Sequence, residues 1–575
     1  MERYIPALSW LKNYNARTLG EDALAGITVG VMLVPQGMAY ALLAGLPPIY
    51  GLYAGIVPPL LYMVFGTSRQ LSVGPVALVS LLVLSGLSEV VSPDDTAAFV
   101  GLAITTALMA GIIQLLMGVF RLGFLVNFLS HPVLVGFTSA AAVIIGLSQL
   151  GNVMGVSIPR SNYIQDIFYQ ASLRIHEVNW LTVGLSAAGV GLIFWLKKVN
   201  RAIPGALIAA ILGTAAVALF GLQEQGVSVV GEVPKGLPSF EMPTLNLTLA
   251  QDLFSLSLTI CIISFIESLA IAKTIEKQHG NYRIIPNQEL IALGLSKVVG
   301  AFFQAFPTTG SFTRSAVNNE SGAKTGISAL FTTLLLALTL LFLTPLFYYL
   351  PKAILAAIII VATIGLIGYK EAIHLWHTHR PDFILLMVTF LSTLILGIQQ
   401  GVIIGVVLSI ASLIYRTSKP HIVVLGRIPE TKHFRNITRF PEAIQNDDTM
   451  VVRFDSQLYF GNANYFKQTM EDLLNEKSEG LKLVVLDASS IHDMDSSGAQ
   501  VFEEVIDLVH RRGIHFYISG CIGPLRDFLF KSGLMDKVGR NHYFLDVHGA
   551  LEYFRTEEDA DQYLHPQASQ TNVKK

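Results

Sequence analysis

Phe306-Pro307-Thr308-Thr309-Gly310-Ser311-Phe312-Thr313-Arg314-Ser315 breaks into a long series of apolar segments with two helix breakers, a cluster of hydroxyl side chains and an arginine. An earlier stretch, Leu71-Ser72-Val73-Gly74-Pro75-Val76-Ala77-Leu78, does the same. Proline has no N–H and is well placed in a first helical turn, so Pro75 reads as the opening of one short helix. Pro307 and Gly310 read as the end of regular structure before another. Irregular backbone survives inside a membrane only where protein or a cavity satisfies its polar groups. A helix N-terminus offers unpaired N–H groups and about half a positive charge, which together suit an anion. The two interruptions therefore predict an anion site near the middle of a bilayer.

Outward from them, residues 22–416 form a succession of apolar stretches, many near the roughly 20 residues a helix needs to cross about 30 Å of hydrocarbon. The whole chain is 52% hydrophobic and 14% charged, so lipid is the solvent its surface is made for. Fourteen segments can be counted, centred near Val31, Pro58, Val79, Met109, Val143, Gly189, Ile211, Ile262, Gly294, Ser315, Leu336, Ile360, Thr389 and Val407. The interruptions fall in the third and tenth, equivalent places if the chain is two repeats of seven. With the N-terminus inside, the inner connections hold Arg69, Arg121, Lys197, Lys198, Arg201, Lys273, Lys277, Arg283, Lys324, Lys370 and Arg380. The outer ones hold Arg160, Arg174, Lys235 and Lys352. That asymmetry follows the positive-inside rule and predicts fourteen crossings with both termini cytoplasmic.

A net charge of −2 argues against nucleic acid as a partner. Cys261 falls in an apolar segment and Cys521 in a soluble one, which gives no disulfide framework. The N-terminal residues lack the short apolar core and small-residue site of a cleaved signal peptide. No nucleophile, base and orienting group share a motif and no metal-ligand spacing occurs, so no enzyme, metal or cofactor is expected.

Beyond Arg416 the composition turns polar. Residues 417–448, with Pro420, Pro429 and Pro441, read as a linker, and 449–556 as a soluble domain. In that domain Val451–Phe454, Leu483–Leu486 and His515–Ile518 read as strands, and Ala463–Leu474 and Ala499–Arg511 as amphipathic helices, a small α/β arrangement. Residues 1–21 read as a cytoplasmic segment and 557–575 as a disordered tail.

Three further polar features stand in the apolar region. Arg314 at membrane depth costs a few kcal/mol and should face the interior beside an anionic partner; a pair with Glu320 or a snorkelling position is the structural alternative. Gln36 and Tyr40, four residues apart, share one helix face and can offer an amide and a phenol to a ligand. Equally, Tyr40 can be an interfacial anchor and Gln36 a helix–helix hydrogen bond. Glu267 is a carboxyl group inside the eighth segment; loss of water favours its neutral form, which suits a reversible proton carrier. A permanent bond to Arg314 or a backbone N–H is the alternative.

The run Pro35-Gln36-Gly37-Met38-Ala39-Tyr40, with Leu46-Pro47-Pro48-Ile49-Tyr50-Gly51-Leu52-Tyr53, Gly66-Thr67-Ser68-Arg69 and Ser72-Val73-Gly74-Pro75, resembles the signature of the SulP sulfate-permease family of anion transporters. Pro307 to Ser321 is similar to the proton-coupled plant members and their bacterial relatives. The resemblance implies fourteen helices in a 7+7 inverted repeat, core and gate domains, an elevator-like alternating-access cycle and a homodimer. It maps the anion site to Gln36 and Tyr40, to Val73, Gly74, Pro75 and Val76, and to Ser311, Phe312, Thr313 and Arg314, and proton coupling to Glu267. Relatives that carry bicarbonate with sodium have an aspartate and a threonine in the eighth helix; Glu267 with Ser264 and Ser268 departs from that. The soluble domain resembles the STAS module through Asp493-Met494-Asp495-Ser496-Ser497-Gly498, and the serine phosphorylated in stand-alone antagonists corresponds to Ser496. Capping of the next helix by Ser496 or Ser497 is the structural alternative.

Together these readings imply a multi-pass protein of the cell membrane, plasma or inner, that moves sulfate with protons and offers a STAS surface to partner proteins. The rivals are a bicarbonate or chloride transporter, exchanger or channel of the same fold, sodium as the coupling ion, and a STAS-based regulatory hub.

Overall fold

A computed structural model describes residues 5–12, 14–92, 95–124, 130–158, 164–199, 204–244, 247–280, 282–477 and 480–556. The expected tail 557–575 and two cations used for orientation, Arg160 and Arg201, lie outside the described residues. The chain divides into two compact units, Met1–Ser409 and Ile410–Lys575.

The first unit is helical. Among the described residues, nine helical stretches are long and apolar enough to cross a bilayer, and Ala77–Leu87 and Gly205–Phe220 are shorter apolar helices. Large apolar side chains such as Trp180, Leu219 and Phe220 stand exposed, as a lipid-facing surface requires. A short helix, Ala7–Leu11, precedes the first long one, Ala16–Leu43, which begins before the expected residue 22 because Asn15 caps it, its Oδ1 accepting the Thr18 N–H at 2.9 Å. Asp22, wholly buried in that helix, accepts the backbone N–H groups of Lys324 and Thr325 at 2.7 and 3.0 Å. Farther along, a Cβ on Gly51 would overlap the Gly37 carbonyl oxygen, so helices Ala16–Leu43 and Pro48–Tyr53 touch backbone to backbone.

Both interruptions become two-residue strands, β1 (Val73–Gly74) and β2 (Thr309–Gly310), paired antiparallel with Val73 opposite Gly310 and Gly74 opposite Thr309. Each leads into a short helix, Ala77–Leu87 and Phe312–Glu320. Pro75 does not open the first of these, contrary to the expectation. Val76, in extended conformation, is the N-cap, and the Pro75 carbonyl accepts a hydrogen bond from Arg314.

The second unit is built on a six-stranded sheet in the order β4-β3-β5-β6-β7-β8. Its strands are β3 (Ile422–Arg427), β4 (Phe434–Asn436), β5 (Thr449–Phe454), β6 (Leu483–Asp487), β7 (His515–Ser519) and β8 (Tyr543–Phe544). β5 to β8 run parallel, and helices Ala463–Glu476 and Ser496–Arg511 supply crossovers. The expected linker 417–448 needs correction, because it holds β3 and β4. β3 pairs antiparallel with β5 from Ile422 opposite Phe454 to Leu425 opposite Val451. Its apolar run is short and flanked by prolines, which is why it reads as a connector.

Candidate functional site

The residues around β1 and β2 converge through hydrogen bonds that the sequence spacing implies only in part. Ser311 N–H donates to the Ser72 carbonyl at 3.0 Å, and Ser72 N–H to Ser315 Oγ at 2.9 Å. Ser311 caps its helix, its Oγ accepting the Arg314 N–H at 3.5 Å. No side chain caps helix Ala77–Leu87 at Val76, which leaves the amide end of that helix open.

Arg314 is fully buried. Its Nη1 donates to the Pro75 carbonyl at 2.9 Å, while Nε and Nη2 have no protein partner. A Cβ at Gly74 would sit 3.2 Å from Nη2, so a side chain there would press on the guanidinium. Neither Glu320 nor Glu267 lies within ion-pair distance of it among the described residues, and its burial excludes a snorkelling position. Gln36 and Tyr40 are buried on helix Ala16–Leu43, with Gln36 Oε1 unpartnered. Tyr40, Glu267 and Arg314 are near enough to act on one another electrostatically. Glu267 Oε2 is buried without a partner, as is Thr308 Oγ1. Burying so many orphaned polar atoms in one region costs about 1–3 kcal/mol each, which is the mark of a place made to receive a polar ligand.

The expected residues do not all share that environment. Val73, Gly74, Pro75, Val76, Ser311 and Arg314 are buried, whereas Phe312 and Thr313, in the first turn of helix Phe312–Glu320, are exposed.

Sequence reasoning named Ser264 and Ser268 beside Glu267 but missed what they hold together. Thr309 Oγ1 donates to the Ser264 carbonyl at 2.7 Å and lies 2.7 Å from Ser268 Oγ, which accepts the Gly310 N–H at 2.9 Å. Ser264 and Ser268, four residues apart and so on one face of helix Leu247–His279, bind β2 to the helix that carries Glu267. Their spacing was legible; their partner was not.

In the second unit the helix after Met494 is capped by Asp495, whose Oδ1 accepts the Gly498 N–H at 2.7 Å. Capping by Ser496 or Ser497 is thereby corrected: a carboxylate occupies the cap, and both serines are exposed in the first turn.

The sulfate permease family pattern matches residues 19–389, and the STAS domain pattern residues 440–550. "Sulfate transporter 4.1, chloroplastic" of Arabidopsis thaliana is 39% identical over 586 residues, covering 98% of this chain and 85% of that protein. "Sulfate transporter 3.1" of the same plant is 34% identical, covering 96% and 87%. Among solved structures, the murine solute carrier 26 family member A9 anion transporter in the inward-facing state superposes with a TM-score of 0.88 at 26% identity, covering 96% of this chain and 94% of that one.

Proposed function

Because the chain belongs to the sulfate permease family of membrane transporters and carries a STAS domain, we propose that it moves sulfate across a cell membrane together with one or more protons. The observation that carries this reading is the buried Arg314 guanidinium, with Nε and Nη2 uncommitted, between two short helix starts. Two helix N-termini contribute about half a positive charge each and Arg314 one more, roughly +2 against a sulfate dianion. The planar fork of Arg314 suits two oxyanion oxygens at once. Gln36, Tyr40, Val73, Gly74, Pro75, Val76, Ser311, Phe312 and Thr313 complete the anion site in this reading.

An ionised Glu267 would reduce that total to about +1, so a proton on Glu267 and a sulfate at Arg314 favour each other, as linkage requires. Sodium fits less well, because the Ser264 carbonyl and the Ser268 hydroxyl beside Glu267 are engaged with Thr309 and Gly310. The full proposal is fourteen helices in a 7+7 inverted repeat, an elevator-like cycle, a homodimer, cytoplasmic termini, and a STAS domain, with Ser496 as a phosphorylation site, that binds partner proteins and regulates transport.

The test is uptake of labelled sulfate by the purified chain in vesicles, under imposed proton or sodium gradients, with bicarbonate, chloride and dicarboxylates as competitors. Accumulation is expected with the proton gradient and sulfate the preferred anion. Accumulation driven by sodium alone would overturn the coupling, and a preference for bicarbonate or chloride would overturn the substrate.

A further inference from the structure

We propose a second oxyanion site, for a sulfate- or phosphate-like dianion, in a cavity of about 270 Å³ bounded by Arg69, Lys324 and His279. The three basic residues come from separate parts of the first unit. Arg69 lies in the loop between helix Val57–Phe65 and β1, half-buried, with its guanidinium 5.1 Å from the centre of the Tyr282 ring. Lys324 lies in the turn between helices Phe312–Glu320 and Ile327–Leu338 and is exposed. His279 ends the helix of Glu267, with Nε2 2.5 Å from Asn319 Oδ1.

Among the described residues no aspartate or glutamate lines this hollow, and neither Arg69 nor Lys324 is in an ion pair. Asp22, which is bonded to the wall, is already saturated: it accepts from the N–H groups of Lys324 and Thr325, from Thr325 Oγ1 and from the Tyr14 hydroxyl. Two permanent positive charges, and a third when His279 is protonated, thus line one space, and they outnumber the single Asp22 carboxylate bonded behind its wall. The positive-inside rule accounts for the side on which these residues lie. It does not account for their convergence on one hollow. That hollow is smaller than the pockets that take drug-sized molecules and suits a compact tetrahedral anion with a few waters.

The wall is also bonded to the central strands. Gln70, which lines the cavity, donates from Nε2 to the Ala323 carbonyl at 3.1 Å, and its own carbonyl accepts from Asn318 Nδ2 at 3.0 Å. Two residues on, Ser72 is paired with Ser311 and Ser315. An anion gripped by Arg69 and Lys324 ties the loop before β1 to the turn after helix Phe312–Glu320. It therefore resists any motion that parts them, and transport should be slowed by high anion concentration.

The experiment is equilibrium binding of labelled sulfate to the purified full-length protein, with uptake measured alongside. The wild type is expected to show two classes of sulfate. Arg314→Ala should lose the class assigned to the central site and keep the other; Arg69→Gln/Lys324→Gln should weaken only the second, by tenfold or more, and relieve inhibition of uptake at high sulfate. Arg69→Lys/Lys324→Arg, which keeps both charges, should retain the second class and so separates loss of charge from misfolding. Displacement of the second class by inorganic phosphate identifies a free oxyanion as occupant; displacement by phosphatidylglycerol micelles alone identifies a lipid phosphate at the same site. A second class indifferent to Arg69→Gln/Lys324→Gln, or a single class abolished by Arg314→Ala, overturns the proposal. Failure of the central site is distinguishable, since it appears as indifference to Arg314→Ala.

Discussion

Replacing Arg314 by alanine tests the central site most directly, and the geometry sets the size of the effect. Two donor groups, Nε and Nη2, are buried without a protein partner and so are available to a bound anion, and Nη1 is held by the Pro75 carbonyl. A hydrogen bond to a charged partner is worth about 1.5–3 kcal/mol net, so losing two costs about 3–6 kcal/mol, roughly a 10²- to 10⁴-fold loss of sulfate affinity. Folding should survive. The truncation orphans the Pro75 carbonyl, at a cost of about 1–3 kcal/mol, and it also removes a cation whose burial is itself costly. Arg314→Lys keeps the charge without the fork and cannot serve Pro75 and two oxyanion oxygens together, so it should recover at most half of the lost free energy. Sulfate binding to the purified variants, with thermal unfolding as the control for integrity, checks both. Alanine-variant affinity within tenfold of wild type, in protein that unfolds normally, would refute the placement of the anion.

Three other substitutions bear on coupling, architecture and regulation. Glu267→Gln, which mimics the protonated group, should still exchange sulfate at equal pH but lose accumulation driven by protons; a gradient of one pH unit offers about 1.4 kcal/mol, a tenfold ratio per proton, and a variant that still reaches it rules out Glu267 as the coupling group. Ser268→Ala leaves the Gly310 N–H without its acceptor and should destabilise the first unit by about 1–3 kcal/mol, read as a lowered midpoint of thermal unfolding; an unchanged midpoint would mean that this bond does not hold β2. Ser496→Asp adds charge in the first turn of helix Ser496–Arg511 and should alter transport rate or partner binding, measured by uptake and pull-down, with the sulfate-to-chloride preference unchanged.

The sequence revealed what depends on local pattern and hid what depends on contact. The interruptions at Val73–Val76 and Pro307–Arg314 are readable because proline, glycine and hydroxyl residues break the continuous helix that lipid would otherwise impose at that depth. Their outcome as a paired β1 and β2 is not readable, since a two-residue strand has no periodicity to detect. In the second unit the apolar runs of β5, β6 and β7 announce buried parallel strands, whereas β3 has a short run between prolines and becomes a strand by pairing with β5. Asp495 rather than a serine holds its helix cap because its carboxylate also accepts the Phe460 N–H at 3.0 Å, a contact made 35 residues away. Phe312 and Thr313 follow the same logic in reverse: the motif names them, and in the first turn of helix Phe312–Glu320 they are exposed where Arg314 is buried.

The arrangement of β2 bears on how a proton and an anion come to share one cycle in the proposed mechanism. In the β1–β2 pair the Ser311 N–H reaches across to Ser72, while the Gly310 N–H points outward to Ser268. So short a ladder has little strength of its own, and β2 takes its position from Thr309 and Gly310 on the serines of helix Leu247–His279. Ser268 is the next residue after Glu267, and Ser264 lies one turn before Ser268. On the proposed coupling, a change in the charge of Glu267 would act on the anion by two routes, directly through its field at Arg314 and mechanically through the Ser264 carbonyl and the Ser268 hydroxyl that hold β2. The field falls off smoothly with distance, whereas the hydrogen-bonded route depends on Ser268 alone for the Gly310 N–H. If both routes operate, Ser268→Ala should weaken the dependence of sulfate affinity on pH more than it weakens the affinity itself. If only the field operates, the pH dependence should survive intact in protein that still binds.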